Sequence, residues 1–398
     1  MWRLSLGYTS KLDANESMKI LIVTFTGGVN PGTIMQAIGV QTAFKQLYPN
    51  AHIEFLDFPD FKRGKLSVRG KNDSLWHTFL QKAFAAFRLI KYNKLRKTYF
   101  NYSPRVDMFN YDKASIAFIK QYDLVVIGSD TILEQGYNLD GTKIGLNWMP
   151  LFVPKLYFAA SASPATFNPS IDLKEVVEKA LFIGLRDNLT VQFFINKLGI
   201  EANRLVKQPD PSYYLDITKF ILPQRLKNKI DSKKKYALYN FNSDFPYRKK
   251  MADNLRSLGY QVISTAYNPY ADMCFDTVDA FEWAAVFPYM DIIVTERFHD
   301  SVFGLRNCRP VVAIDWDKNR FAAEGDSKTF RILEDYGHQH LHFNLCGSAD
   351  LTTICTTVEN ITHLFDLKKI KEVNNIQTEF ANKILIVLKD ILLRNNLL

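Results

Sequence analysis

The chain has 398 residues, more than one hydrophobic core of ordinary size holds, so two domains are expected. Its 47% apolar and 23% charged residues belong to a globular protein and exclude a disordered or fibrous chain. The net charge is +9, yet residues 62–105 alone hold 12 Lys/Arg and one acid, a local excess of +11 that leaves −2 elsewhere.

Residues 1–17 lack the apolar run of a signal peptide and read as an N-terminal extension. No stretch of about 18 uncharged apolar residues offers a membrane span, so a cytoplasmic location is expected. Cys274, Cys308, Cys346 and Cys355 are far apart and show no CxxC spacing, which argues against a zinc site and a disulfide framework.

Residues 18–25 form a short apolar run rich in Ile and Val, the mark of a buried strand. A Gly27-Gly28-x-Asn30-x-Gly32 loop follows, then a helix over 33–47 and a strand over 51–58, which makes a βαβ unit. The basic segment 62–105 carries a helical pattern. Trp76, Phe79, Leu80, Ala83, Phe87 and Ile90 share one face, open to either a core or a lipid surface. Strands are expected at 123–127, 155–159 and 181–185, and a helix at 188–198. Pro209-Asp210-Pro211 then breaks the chain, and a Lys/Asn/Gln-rich stretch at 223–235 reads as a linker.

Alternation resumes with strands at 236–241, 260–266, 291–295 and 310–316 and helices between them. The chain thus divides into an N-terminal Rossmann-like domain, 18–222, the linker, and a C-terminal Rossmann-like domain, 236–345. A helical segment, 346–398, ends it. Two α/β domains facing one cleft are expected to bind their ligand between them.

In open parallel sheets, chemistry sits at the carboxyl ends of the strands. Three such ends carry reactive side chains. After the run 291–295 come Glu296-Arg297-Phe298-His299. Arg297 suits an anion at a helix start, and His299 suits proton transfer near neutral pH; a helix start that His299 caps, with Arg297 paired to Glu296 or Asp300, is the alternative. Arg186 ends the 181–185 strand and, across a cleft from Arg297, makes a two-guanidinium clamp; a surface ion pair with Asp187 is the alternative. Gly128-Ser129-Asp130 ends the 123–127 strand, where Asp130 either orients sugar hydroxyls or belongs to an ordinary turn. The Gly27–Gly32 loop resembles a phosphate cradle but matches no nucleotide-binding fingerprint. His338, His340 and His342 alternate without an acid or Cys to complete a metal set, so a solvated edge is expected and no metal. The basic segment is a solvated helix face or an anionic-membrane surface; no nucleic-acid motif accompanies it.

In order along the chain, these segments resemble the polysaccharide pyruvyl transferase family over about residues 18–340. The likeness rests on Asn30-x-Gly32 with Gln36-Ala37, Ile127-Gly128-Ser129-Asp130 and Tyr157-Phe158-Ala159-Ala160-Ser161. It continues through Gly184-Leu185-Arg186-Asp187, Asp210-Pro211, Val294-Thr295-Glu296-Arg297-Phe298-His299 and Pro310-Val311-Val312-Ala313-Ile314. Thr131-Ile132 and Asp300 depart from the usual pattern, which bears on acceptor choice.

The resemblance implies a fold like that of B-type glycosyltransferases and transfer of a pyruvyl group from phosphoenolpyruvate to two hydroxyls of a sugar in a surface polysaccharide, a capsule or exopolysaccharide, releasing phosphate. Phosphoenolpyruvate is then the donor substrate, and no cofactor is required. Arg186, Arg297 and Phe298 would hold the donor, His299 would move the proton, and Asp130, Ser129, Asn30 and Gly32 would lie by the acceptor, which is lipid-linked or soluble. Apart from the resemblance, the charge excess of residues 62–105 leads to the expectation that they touch the inner face of an anionic membrane. The competing expectation is a nucleotide-sugar glycosyltransferase, which two α/β domains suit equally.

Overall fold

The computed structural model describes residues 18–57, 75–105, 117–133, 153–162, 171–317, 327–347 and 349–397. The expected extension 1–17 and the first part of the basic segment, 62–74, lie outside them.

Two parallel sheets form the frame. The first runs in the order β3-β2-β1-β4-β5-β6-β7, with β1 Lys19–Val23, β2 His52–Asp57, β3 Tyr102–Arg105, β4 Leu124–Ile127, β5 Lys155–Ala160, β6 Phe182–Leu185 and β7 Leu205–Lys207. The second runs β10-β9-β8-β11-β12-β13, with β8 Lys235–Asn240, β9 Tyr260–Ser264, β10 Met273–Cys274, β11 Ile292–Thr295, β12 Val311–Asp315 and β13 His342–Asn344. Strand order reverses between β1 and β4 and again between β8 and β11. Such switch points open crevices at the strands' carboxyl ends. β1, β4, β11 and β12 are buried along nearly their whole length because both faces are covered, and for that reason they read as unbroken apolar runs.

The helix Pro31–Leu47 starts two residues before the expected point. Pro31 fits the first helical position, and the Asn30 carboxamide accepts the Gly32 N–H at 3.1 Å. The basic helix, Leu75–Tyr99, packs through Phe84, Arg88, Tyr92 and Leu95; Phe84 stacks on Tyr267, 5.8 Å between centroids, and the Arg88 guanidinium sits 5.9 Å from the Tyr92 ring. The apolar face read from the sequence points outward instead: Trp76, Phe79, Phe87 and Ile90 are 60–66% exposed.

The histidines do not form a solvated edge. His338 is buried, with Nδ1 bonded to the Tyr336 carbonyl at 2.8 Å and Nε2 accepting the Asp366 N–H at 3.0 Å. His342 opens β13 and bonds Asp315 Oδ2 at 2.7 Å, and only His340 is exposed. Residues 338–341 turn through a short 3-10 helix, which puts the three rings on different partners.

The C-terminal helix, Leu367–Arg394, packs against the helix Pro31–Leu47 and the turn Pro211–Tyr214 of the first domain and the helix Phe298–Arg306 of the second. Its buried stripe is Ile370, Ala381, Ile384, Leu388 and Leu392. Asn374 Nδ2 donates to the Leu305 carbonyl at 2.9 Å, and its Oδ1 accepts from Tyr336 at 2.7 Å and Tyr213 at 3.0 Å. Further on, Tyr214 bonds the Ala381 carbonyl at 3.2 Å and Tyr48 the Leu397 carbonyl at 2.8 Å.

Candidate active site

The loops after β1, β4, β6 and β11 converge. His299 lies in the first turn of the helix Phe298–Arg306 and is 9% exposed. Gly32, in the first turn of the facing helix, lies against its ring; a β-carbon there would fall 2.1 Å from His299 Cγ. Glycine is therefore required by close approach.

Gln36, one turn on, organises the cluster. Its Oε1 accepts from Arg186 Nη1 at 2.8 Å and from the Asp130 N–H at 3.0 Å. Two donors on that oxygen turn the amide NH₂ toward His299, and it hydrogen-bonds His299 Nε2. Nε2 then carries the lone pair and Nδ1 the proton. Burial drives the His299 pKa down to about 4; Asp210 opposes that shift, and Arg186 reinforces it. The imidazole is neutral at pH 7 and suited to accept a proton.

Arg186 is buried, so its ion pair with Asp187 forms inside the fold and not at the surface. Its Nε is 4.0 Å from Asp187 Oδ2 and its Nη1 3.7 Å from Asp210 Oδ2. Its guanidinium stacks over the Phe298 ring at 4.5 Å, which fixes the planar fork. Asp187 accepts from Ser161 Oγ at 2.7 Å and from the Thr190 N–H at 2.8 Å, capping the helix Asn188–Asn196. Burial opposes its charge, but Lys328, Arg186 and these bonds outweigh burial and hold its pKa below the usual carboxylate range.

Asp130 takes φ +64°, a left-handed conformation that Asp tolerates. Its Oδ2 accepts from Thr33 at 2.9 Å and its Oδ1 from the Thr131 N–H at 2.8 Å. Ser129 beside it is fully buried, and its carbonyl accepts from Thr24 at 3.1 Å. Asn30 is exposed and serves as the helix cap.

Arg297 stands at the same strand end as His299. Its N–H bonds Thr295 Oγ1 at 3.0 Å, and its charge lies near Tyr92 and Asp300. Asp300 is a strut: its carboxylate accepts from Asn240 at 2.9 Å, Thr295 at 2.9 Å and Trp283 at 3.2 Å.

Two members of the cluster have roles that the sequence reading did not assign, Gln36 and Asp210. Gln36 is a polar residue on a helix buried from Pro31 to Gln41, an anomaly visible in the sequence. Asp210 reads as part of a chain-breaking Pro-Asp-Pro, yet its Oδ2 is 3.8 Å from His299 Nε2. Among the described residues, no group of three His, Cys, Asp or Glu side chains is placed to hold a metal ion.

The family model for polysaccharide pyruvyl transferase matches residues 30–318, most of the chain and every residue of this cluster. The chain belongs to the polysaccharide pyruvyl transferase family. No curated protein matches it. Among solved structures, the transferase is similar to UDP-GlcNAc 2-epimerase from Neisseria meningitidis bound to UDP-GlcNAc, at 9% identity and TM-score 0.54 over 95% of this chain and 100% of that one. It is also similar to UDP-N-acetylglucosamine 2-epimerase from Rickettsia bellii, at 11% identity and TM-score 0.50 over 95% and 99%. A third is Medicago truncatula UGT71G1 complexed with UDP-glucose, at 10% identity and TM-score 0.50 over 95% and 99%. The fold is therefore the two-domain one shared by B-type glycosyltransferases and these epimerases.

Proposed function

We propose that the cleft transfers the pyruvyl unit of phosphoenolpyruvate to two hydroxyls of one sugar, giving a cyclic ketal and inorganic phosphate. One observation carries this reading: a buried, neutral His299 shares Gln36 with a buried Arg186 that is held flat on Phe298. Arg186 takes the donor carboxylate or phosphate bidentately, and Arg297 approaches from the second domain. An acceptor hydroxyl displaces the Gln36 amide from His299 Nε2 and gives up its proton there. His299 passes that proton to the donor methylene carbon, which becomes a methyl group. The hydroxyl oxygen bonds the central carbon, the C–O bond to phosphate breaks, and the second hydroxyl closes the ring, its proton leaving with the phosphate.

The acceptor belongs to a surface polysaccharide or its precursor. We further propose that the enzyme works peripherally on the inner face of an anionic membrane, where a lipid-linked acceptor resides. The exposed Trp76, Phe79, Phe87 and Ile90, flanked by exposed Lys82, Lys94 and Lys97, support that contact. Among the described residues, no helix is long and apolar enough to cross a membrane.

The deciding experiment follows phosphate release from phosphoenolpyruvate across a panel of lipid-linked and nucleotide-linked sugars. Acceptor-dependent release is expected. Thermal stabilisation by nucleoside diphosphates, with none from phosphoenolpyruvate, would favour a nucleotide-sugar glycosyltransferase instead.

A further inference from the structure

Beside Arg186 the cleft runs on between β7 and the helix Lys328–Asp335. It is lined there by Lys207, Gln208, Asp210, Arg331, Asp335 and Tyr336. Four side chains in it keep buried polar atoms with no hydrogen-bond partner among the described residues. These are Arg186 Nε, both atoms of the Gln208 amide, Asp210 Oδ2 and Arg331 Nε. Gln208 is 1% exposed and Asp210 4%, so bulk water does not serve them. Buried polar groups are ordinarily satisfied, and a cluster of unsatisfied ones marks a place where something else binds.

The set is mixed. Three groups donate: the two Nε–H groups and the Gln208 NH₂. Two accept: Gln208 Oε1 and Asp210 Oδ2. An ionised phosphate or carboxylate only accepts and would leave both oxygens unmet. A hydroxyl does both, and adjacent sugar hydroxyls do so in pairs. The charges agree, because Lys207 pairs with Asp335 at 2.5 Å and Arg331 with Glu334 at 2.7 Å, which leaves little positive charge for a second anion.

We infer that this arm of the cleft binds the hydroxyls of the acceptor sugar, through Gln208, Asp210 and Arg331. Asp210 Oδ2 lies 3.7 Å from Arg186 Nη1 and 3.8 Å from His299 Nε2, so a hydroxyl bonded to it stands between the donor site and the base. Asp130, by contrast, engages both carboxylate oxygens within the fold. The inference rests on the pyruvyl-transfer reading, and it relocates the acceptor from the Asp130 loop to the opposite side of Arg186.

The test titrates the full chain with a panel of methyl hexopyranosides, followed by saturation-transfer NMR, and with phosphoenolpyruvate, followed by calorimetry. Gln208→Leu and Arg331→Gln should weaken glycoside binding by about tenfold or more while phosphoenolpyruvate affinity stays within about twofold. Gln208→Glu keeps shape and acceptor capacity and guards against a folding artefact; it should bind glycoside better than Gln208→Leu. Donor affinity lost with glycoside binding unchanged overturns the assignment, as does a wild type that binds no glycoside of the panel. The transferase reading fails separately, if the wild type binds no phosphoenolpyruvate, and the glycoside titration then still decides the subsite.

Discussion

Gly32 and His299 belong to different domains, yet a β-carbon on residue 32 would fall 2.1 Å from His299 Cγ and 2.3 Å from Nδ1. The space that positions the imidazole exists only because the second residue of one helix has no side chain. Gly32→Ala should favour the isolated helix by roughly 1 kcal/mol. It should nevertheless lower turnover by about 10²-fold, since the ring must shift by an ångström or so. Steady-state kinetics alongside a melting curve separates the two effects, and full activity in the variant would mean that the ring is not held where it acts.

His299 carries the proton in this mechanism. His299→Ala should reduce turnover by about 10²–10⁴-fold while phosphoenolpyruvate binding survives. The pH dependence follows from its pKa, lowered to about 4 by burial. The free enzyme should keep kcat/KM down to about that pH and lose it below. Stability should also fall as pH drops from about 6.5, where the unfolded chain begins to take up this proton, to about 4, where the folded protein does. In His299→Gln that part of the slope should vanish; an unchanged slope would assign it to other groups.

Arg186 and Arg297 are predicted to differ in what they tolerate. Arg186 holds Gln36 and stacks on Phe298, so Arg186→Lys should cost about 10- to 100-fold in donor affinity. Arg297 has no such scaffold, and Arg297→Lys should weaken the donor less. Calorimetry with phosphoenolpyruvate ranks the two, and the reverse order would move the main anion contact to the second domain.

Asp300 tests stability. Its carboxylate accepts three bonds at the junction of β8, β11 and Trp283. Asp300→Ala leaves buried donors unmatched and should cost about 1–3 kcal/mol in urea unfolding. A loss of acceptor selectivity with stability intact would instead return Asp300 to the substrate.

Membrane contact is tested on the exposed face of the helix Leu75–Tyr99. Lys91 and Arg96 are poor choices, because Lys91 pairs with Glu282 at 2.7 Å and Arg96 bonds the Gly28 carbonyl at 2.6 Å. Lys82, Lys94 and Lys97 replaced by Gln should weaken binding to anionic vesicles by about 1 kcal/mol each, an attraction that fades as salt rises. Trp76→Ser should weaken it without removing the salt dependence. No binding to anionic vesicles at low salt would leave the helix face merely solvated.

Much of the frame was legible because parallel strands covered on both sides must be apolar throughout, and β1, β4, β11 and β12 are. The peripheral strands β3, β7, β10 and β13 have two to four residues and no comparable signal. Arg186, Arg297 and His299 stood out because charge follows each apolar run abruptly. Their grouping did not, since direction is invisible in spacing: Arg297 and His299 are two residues apart and turn to different neighbours. The packing face of the basic helix was not legible for a related reason. Apolarity marks a stripe, but the stripe that packs uses Arg88 and Tyr92, which carry long apolar stems beneath polar tips.

The C-terminal helix has a consequence for biogenesis. Tyr48 and Tyr214 belong to the first domain, yet their hydroxyl partners are the carbonyls of Leu397 and Ala381, 349 and 167 residues further along the chain. The first sheet can assemble on the ribosome long before its helical cover emerges. Until then, the surface destined for Ile384, Leu388 and Leu392 stays bare. Nascent chains should therefore be most prone to aggregate, and most in need of chaperones, in the interval after the second sheet is made and before this helix is threaded back.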